Sequence, residues 1–341
     1  MFGAKHYVPI LRWKQAERLA LRYLGENDRC RITPLIEITP KSFDAPKTGN
    51  KQGKKPDPAR VLEDQAKQLL ESWGYARFFL DLGLIEDSVP SIGGKRHALA
   101  HIAEAARNDR LSMVPVTGLK RKDEYQSAVS GVLKLDGRGI CLRLLAKEVL
   151  EPEFPQAVRS VLRKFGLDES NADLLLDYET FDPQNPELKT LLANIPYLGR
   201  WRSLIVASGA FPEDLQRCEK GSKPIPRDDW LTWKRQFFDE TSTQRKASFS
   251  DYTIQYGHYK EPVEHCIPSV SVCVGLFGKA GQRVLVTLQF KSMQYAVDDR
   301  EIDTGGAVVD TQFFNDHSLA VIFVLEEEFP FQGCANVNII H

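Results

Sequence analysis

The chain has 341 residues, of which 42% are hydrophobic and 27% charged, and 45 basic residues nearly balance 46 acidic ones. This composition is that of a folded globular protein, and the formal net charge of −1 gives no overall attraction to DNA or to a membrane surface. No apolar run approaches the ~18 residues that cross a bilayer, and the amino terminus lacks the apolar segment of a signal peptide, so we expect a cytoplasmic protein with no membrane partner. The six cysteines contain no CxxC pair, which argues against a zinc site and, in the cytoplasm, against disulfides.

Eight short apolar runs recur along the chain, about one every 30 to 35 residues, and most of them end in a polar or charged residue. Each run has the composition of a buried strand, and the stretch between consecutive runs is long enough for one helix. The runs cover residues 7–14, 32–37, 77–81, 113–117, 140–143, 172–177, 203–208 and 248–252.

The stretches between the runs have the periodicity of amphipathic helices. In residues 58–73, for example, Leu62, Ala66 and Leu69 share one face, and Asp57 stands before Pro58 as a helix cap. Alternating strands and helices predict βαβ units with right-handed crossovers. We therefore expect a (βα)8 TIM-like barrel, with an open doubly wound sheet as the competing architecture. No GxGxxG turn follows the first strand, which argues against dinucleotide binding.

Two segments stand outside the repeat. Residues 41–57 are polar and rich in Gly, Pro and Lys, which predicts a long loop after the second strand. After about residue 259 the strand–helix rhythm is lost, and strand-like runs dominate. The predicted organisation is thus a barrel over residues 1–258 and a β-rich extension over residues 259–341 that packs on the barrel or completes it.

Residues at the carboxyl ends of barrel strands point into a shared mouth, where the active sites of such barrels lie. Charged groups buried there must pair with one another or bind something. The two interpretations that stay open are a salt-bridge network that closes the core and a polar site that binds a ligand. The residues that the eight runs bring to the mouth are Lys14, Glu37, Asp81, Thr117, Arg143, Asp177, Ser208 and Asp251.

If the mouth is an active site, its charged residues divide into three predicted roles. Glu37, Asp81 and Asp177 can hold Mg²⁺ or Mn²⁺ or act as acid and base, because carboxylate oxygens suit both tasks. Lys14 and Arg143 can bind an anionic substrate and stabilise charge on the transferring group. Asp251 would orient a partner. These six charged residues are the candidate catalytic residues.

Four further residues are predicted to bind substrate. The turn at Ser208 and Gly209 follows the seventh run, where loops of many such barrels bind phosphate through backbone N–H groups. Tyr252 offers aromatic surface to a base or ring. Lys120 belongs to two basic loops that would surround the mouth and attract a phosphorylated ligand or nucleic acid: Lys41, Lys47, Lys51, Lys54 and Lys55, and Lys120, Arg121 and Lys122.

Other chemistries fit the chain less well. The large glycosidase barrels usually place their two carboxylates on the fourth and seventh strands, where this chain has Thr117 and Ser208. A Schiff-base lysine on the sixth strand is replaced by Asp177. His97 and His101 lie four residues apart on a predicted helix, but no HExxH pattern accompanies them.

Several segments together resemble the beta family proteins: YVPILRWKQAE at the start, PLIEI at 34–38, the strand ending at Asp81, LLLDYE at 174–179 and SFSDYT at 248–253. The resemblance spans residues 7–255 in the same order and at comparable spacing. These proteins are widespread in bacteria and phages, often among mobile or defence genes, and no activity is well established for them. The resemblance implies a barrel with the polar positions Lys14, Glu37, Asp81, Arg143, Asp177 and Asp251, and a role in conflict between phage and host.

Two functional hypotheses follow. The first is an enzyme, a phosphoester-type hydrolase, that acts on an anionic substrate such as a nucleotide or a nucleic-acid end. The second is a non-catalytic binding protein that uses its basic loops to engage a phage or host partner.

Overall fold

Eight parallel strands close into a barrel in the computed structural model. They are β1 Tyr7–Arg12, β2 Leu35–Glu37, β3 Phe78–Asp81, β4 Met113–Thr117, β5 Ile140–Leu145, β6 Ala172–Thr180, β7 Ser203–Gly209 and β8 Ser248–Asp251. Each strand pairs with its neighbours in the sequence, and β1 closes the ring by pairing with both β2 and β8. The predicted closed barrel is confirmed, and the open sheet is excluded.

The structure describes residues 2–45, 47–48, 51–182, 188–213, 223–239, 245–253 and 255–260. It also describes three strands nearer the carboxyl terminus, Val270–Val274, Gln289–Phe290 and Asn336–Ile340. None of the helices within these ranges is long and apolar enough to span a bilayer.

A helix follows each of the first seven strands. These helices are α1 Gln15–Arg22, α2 Pro58–Trp73, α3 Ala98–Asn108, α4 Asp123–Asp136, α5 Phe154–Phe165, α6 Leu188–Asn194 and α7 Asp228–Trp233, which continues as a π-helix over Lys234–Asp239. Shorter helical turns occupy Glu26–Arg29, Ala146–Val149, Pro40–Phe43, Gly83–Ile85, Glu169–Asn171 and Leu198–Arg200.

Local sequence explains where α2 begins and ends. The Asp57 side chain accepts a hydrogen bond from the Ala59 N–H, and Pro58 occupies the first turn, where its missing N–H costs nothing. The helix stops at Gly74, whose φ of 76° is unfavourable for a residue with a Cβ. Between these ends, Leu62 and Leu69 are buried, and each contributes about 1.5–3 kcal/mol of hydrophobic stabilisation.

Buried residues form two apolar clusters that alternate along the strands. One cluster contains Val8 and Ile10 of β1, Leu175 of β6 and Ile205 of β7, and it fills the inside of the ring. The other contains the residues between them, such as Leu174, together with the buried faces of the helices. Because successive side chains of a strand point to opposite faces, membership of a cluster tells which side of the barrel a residue faces.

Outside the barrel the described strands are antiparallel. Lys47–Thr48 and Lys51–Gln52 form a short hairpin within the loop predicted over residues 41–57, and Ser91–Ile92 pairs with Arg96–His97. Asn336–Ile340 lies between Val270–Val274 and Lys223–Pro226, and Gln289–Phe290 completes this sheet of four strands. The predicted β-rich extension thus supplies three strands, and the rest of residues 259–341 lies largely outside the described residues. The boundary at residue 258 stays a prediction.

Candidate functional site

The carboxyl ends of the strands form one end of the barrel, here called the mouth. Strand register places Arg12, Glu37 and Asp81 level with one another, because Arg12 pairs with Glu37 and Glu37 pairs with Asp81. All three residues are at most 6% exposed. Their positions continue the inward-facing pattern of Ile10, Leu35 and Phe79, so they lie above the apolar interior.

Arg143 of β5 lies at the centre of this end and joins three carboxylates. Its Nη1 donates to Glu37 Oε1 at 2.7 Å and to Asp81 Oδ2 at 2.9 Å, while its Nε donates to Asp177 Oδ2 at 2.8 Å. Its Nη2 donates to the Tyr252 hydroxyl at 2.8 Å. These bonds hold the guanidinium in one orientation, and they leave one of its five N–H groups for another acceptor.

Two more arginines complete what we call the mouth network. Arg121 donates to Asp81 Oδ1 at 2.7 Å. The Nε of Arg12 lies 3.5 Å from Glu37 Oε2, and neither of these two atoms has a hydrogen-bond partner. Three guanidiniums therefore balance three carboxylates. The members of the network are Arg12, Glu37, Asp81, Arg121, Arg143, Asp177 and Tyr252.

The network sets the protonation of its members. Burial alone would raise the pKa of Asp81, but the guanidiniums of Arg121 and Arg143 outweigh burial and lower it below the usual value. Burial also raises the pKa of Tyr252 well above that of a free phenol; Arg143 opposes the rise, and the adjacent Asp177 carboxylate adds to it. Tyr252 is therefore a neutral donor, and its hydroxyl donates to Asp177 Oδ2 at 2.6 Å.

Three aspartates at or near the carboxyl ends of strands make the same local turn. Asp81, Asp177 and Asp251 each accept, through Oδ1, the backbone N–H two residues further on, at 2.8, 2.8 and 3.0 Å. Aspartate favours such turns because its short carboxylate replaces a backbone acceptor. In Asp81 and Asp177 one oxygen thus serves the turn and the other serves Arg143.

Asp251 does not join the mouth network, which corrects the prediction that all six charged residues share one pocket. It accepts from the Tyr7 hydroxyl at 2.6 Å and from Arg227, which also pairs with Asp229 at 2.9 Å. Tyr7 belongs to the cluster between barrel and helices. The physical reason is that successive side chains of a strand point to opposite faces. Asp251 is two residues from outward-facing Phe249 on β8 and faces outward too, whereas Tyr252 faces inward.

Lys14 lies beside the mouth network in a separate group of contacts. Its Nζ donates to Gln255 Oε1 at 3.1 Å, and the Gln255 amide donates to Glu17 Oε1 at 2.5 Å. Burial raises the pKa of Glu17, although the positive charge of Lys14 opposes this. Lys14 follows β1 by two residues, and its contact with Gln255 places its side chain near the segment after β8.

The predicted substrate-binding residues lie in different places. Tyr252 is part of the mouth network, and Gly209 lies next to it, because a Cβ on Gly209 would come within 3.3 Å of the Tyr252 ring. Ser208 is buried and its hydroxyl has no hydrogen-bond partner, but its parity is that of outward-facing Val206. Lys120 is 63% exposed and pairs with Glu151 at 2.7 Å.

The basic loop after β4 carries its own counter-charges. Arg121 pairs with Asp81 and with Glu86 at 3.5 Å, and Lys122 pairs with Asp87. The positive charge expected around the mouth is therefore neutralised at this loop. Of the lysines after β2, Lys47 and Lys51 have no described side chains.

The carboxylates do not fit a divalent metal in this arrangement. Glu37, Asp81 and Asp177 all face Arg143, whose guanidinium takes the central position that a shared cation would need. Because the network is already neutral, a further double positive charge would have to displace an arginine. Within the described ranges, no group of three or more His, Cys, Asp or Glu side chains is arranged to hold a metal ion.

Sequence reasoning did not identify the contacts of four residues at this end of the barrel, although it placed Arg121 in a basic loop around the mouth. Arg12 and Arg121 complete the mouth network, and Glu179 and His258 pair beside it at 3.2 Å between Oε1 and Nδ1. Arg12 could have been predicted from the alternation of side chains along β1, because it follows the inward positions 8 and 10. Arg121 and His258 lie on loops, where no periodicity places a side chain, and Glu179 lies in the last residues of β6, where the strand register is irregular.

The sequence of this barrel also matches a known protein family. A model of the Beta protein family matches residues 7–272. The chain belongs to the Beta protein family. The match covers the whole barrel, including every member of the mouth network, and confirms the resemblance seen in the sequence.

Other comparisons add little to the Beta protein assignment. No curated protein matches the chain. Among solved structures it is similar to a GH138 enzyme targeting pectin rhamnogalacturonan II, at 9% identity and a TM-score of 0.37, over 74% of this chain and 36% of that one. The chain thus spans about a third of that structure's length, and a likeness at this level carries no inference about chemistry.

Proposed function

We propose that the protein is a hydrolase acting at the mouth of the barrel on an anionic, phosphate-containing substrate, such as a nucleotide or a nucleic-acid end. The observation that carries the proposal is Arg143, a guanidinium fixed by three carboxylates and a tyrosine at the centre of the mouth. Its side chain is 13% exposed, whereas those of the three carboxylates are at most 4% exposed. In this proposal the substrate meets the arginine, and the carboxylates hold it in place.

Fixed positive charge suits phosphoryl chemistry. A donor that is already oriented stabilises the charge developing on phosphate oxygens without reorganising during the reaction. The proposal assigns no step to Mg²⁺ or Mn²⁺, because the carboxylates are engaged by guanidiniums. The beta family resemblance suggests conflict between phage and host as the setting.

A second candidate is a non-catalytic binding protein of a phage-defence or counter-defence system. The observation that favours it is the low exposure of Glu37, Asp81 and Asp177, which leaves them poorly placed to exchange protons with a substrate. In this alternative the mouth network is a structural closure of the barrel, and a phage or host partner contacts the loops around it.

The test compares Arg143→Lys with Arg202→Lys, an equivalent change at the other end of the barrel. Arg202 also binds a buried carboxylate: its Nη2 donates to Asp173 Oδ2 at 2.7 Å and its Nε donates to Asp173 Oδ1 at 3.1 Å. We expect Arg143→Lys to lower kcat/KM for bis(p-nitrophenyl) phosphate about 10²-fold, since lysine cannot reproduce the fork of donors. Arg202→Lys should keep nearly the full rate.

Inorganic phosphate binding, measured by calorimetry, separates the two candidates. Hydrolysis by the wild-type protein that Arg143→Lys removes supports the enzyme. Phosphate binding without hydrolysis, lost in the same variant, would reject the hydrolase and also the view that the mouth network is only a structural closure. The absence of both activities in the wild-type protein would reject an anion site at the mouth and support the second candidate.

A further inference from the structure

An accessible pair of Glu179 and His258 lies at the mouth and has no part in the roles described so far. Glu179 Oε1 is 3.2 Å from His258 Nδ1, and the two side chains are 27% and 45% exposed. By contrast, the side chains of Asp81 and Asp177 are 2% and 0% exposed. A ligand can therefore reach Glu179 and His258 more easily than it can reach the buried carboxylates of the mouth network.

The backbone around both residues is hydrogen-bonded to the mouth network. The Glu179 N–H donates to Asp177 Oδ1 at 2.8 Å, and the other oxygen of Asp177 accepts from Arg143. On the other side, Arg12 Nη2 donates to the carbonyl of Gly257, the residue before His258, at 2.8 Å. The pair is therefore held between the last residues of β6 and the loop that follows β8.

Two backbone features fix the pair in this place. Glu179 has a φ of 60°, a conformation that costs free energy for a residue with a Cβ and that often marks functional sites. Gly257 packs directly on it, since a Cβ on Gly257 would lie 2.0 Å from the Glu179 carbonyl oxygen. A strained residue and a close approach that needs glycine thus bring these two side chains together.

The surroundings of His258 on the described elements are mixed in charge. The Tyr256 ring lies 5.3 Å from the imidazole, and Lys260 Nζ lies 5.9 Å from the Tyr256 ring and pairs with Glu213. The charged group facing Nδ1 is the Glu179 carboxylate. A carboxylate at Nδ1 fixes the tautomer of an imidazole and leaves Nε2 to exchange protons with a substrate.

We propose that His258 is the general acid–base residue of the hydrolysis and that Glu179 positions it. The proposal rests on the function proposed above. His258 Nε2 takes a proton from the attacking water as the water oxygen bonds to phosphorus. The bond from phosphorus to the leaving oxygen breaks, its electron pair stays on that oxygen, and the imidazolium returns the proton there, while Arg143 stabilises the phosphate oxygens.

The test uses bis(p-nitrophenyl) phosphate and a matched histidine elsewhere. His101 Nε2 lies 3.2 Å from Glu63 Oε1, so His101→Gln removes an equivalent pair outside the mouth. We expect His258→Gln to lower kcat about 10²-fold with KM little changed, and to remove the acidic limb of the pH–rate profile. Glu179→Gln should lower kcat less than His258→Gln does, again with KM little changed, because the imidazole loses the carboxylate that orients it. His101→Gln should change neither.

A second variant guards against a merely structural effect. In His258→Ala, added imidazole should restore part of the rate, which it would not do for a fold defect. If His258→Gln keeps the wild-type rate and pH profile while Arg143→Lys loses the rate, the histidine proposal is wrong and the hydrolase stands. If the wild-type protein does not hydrolyse the probe, the proposed function fails, and this role for His258 fails with it.

Discussion

Arg143 has the environment of a fixed charge. Its partners are three buried carboxylates and a phenol, and the pKa of the guanidinium is raised well above its usual value, because Tyr252, Asp177 and the other carboxylates outweigh the cost of burial. Removing one partner of a buried ion pair leaves the other charge without compensation, which costs more than the pair contributes. Substitutions within the mouth network should therefore affect stability as well as function.

Asp81→Asn tests this at a single residue. We expect a loss of about 3–5 kcal/mol in the free energy of unfolding at neutral pH, because Arg121 and Arg143 both lose a charged partner. Asp64→Asn is the control, since Asp64 and its partner Lys67 are exposed and such pairs contribute at most about 1 kcal/mol. Urea unfolding of the three proteins measures both differences.

The same variant has a pH signature. The pKa of Asp81 is lower in the folded protein than its usual value of 3.8, so its stabilisation is complete well above pH 3.8 and is lost as the pH falls through the lowered folded value. The stability difference between wild type and Asp81→Asn should therefore shrink in acid. A difference that stays constant from pH 7 into the acid range would contradict the lowered pKa.

At the scale of residues, the sequence predicted part of the site. Glu37, Asp81, Arg143 and Asp177 were found because strand ends of a parallel barrel converge. Asp251 was misplaced because both faces of these strands are buried, so hydrophobicity does not reveal which face a polar residue occupies. The pairing of Glu179 with His258 was missed because it depends on the positive φ of Glu179 and on the course of the loop after β8.

At the scale of elements, the segment after β8 is seated on the mouth by contact between backbones. Gly257→Ala should displace it, because the new Cβ would lie 2.0 Å from the Glu179 carbonyl oxygen and 2.4 Å from its carbon. We expect a loss of about 1–3 kcal/mol in the free energy of unfolding, the usual cost of overpacking.

Gly199→Ala provides the matched control for that change. A Cβ at Gly199 would meet no atom within 4 Å, and the effect should stay within about 0.5 kcal/mol. Equal stability of the two variants would mean that residues 255–260 do not rest on Glu179. Backbone proximity of this kind cannot be predicted from residue type alone, because most glycines have no such neighbour.

At the scale of the whole molecule, the two ends of the barrel carry similar chemistry. Opposite the mouth, Asp173 is buried and accepts from Arg77, Arg202 and Ser203. Beside this cluster lies His6, whose ring stacks on Phe2 at 3.9 Å. Burial, with nearby positive charge that includes Arg77, lowers the pKa of His6 from 6.5 to about 4.

This histidine predicts an acid-sensitive fold. Between pH 6.5 and 4 the unfolded chain binds a proton that the folded protein does not, so stability falls as the pH falls through this range, by about 3 kcal/mol in total. His6→Gln should flatten the dependence, as measured by urea unfolding at several pH values. An unchanged slope in the variant would show that other groups cause the loss.

The overall architecture was the most predictable part of the molecule. Eight apolar runs with helical stretches between them sufficed for a closed barrel, because parallel neighbours and right-handed crossovers leave few alternatives. The same rules do not predict the antiparallel sheet that contains Lys223–Pro226, since this segment between β7 and β8 pairs with Asn336–Ile340, about 110 residues further along the chain.

The aspartate turns at Asp81 of β3 and Asp177 of β6 have a consequence for protein engineering. In each, one carboxylate oxygen closes the turn and the other orients Arg143. When loops are exchanged between relatives, the junctions should therefore lie beyond Gly83 and Glu179. Each aspartate then keeps the backbone N–H that its carboxylate binds. A junction placed nearer the strand would alter the central guanidinium even when no member of the mouth network is replaced.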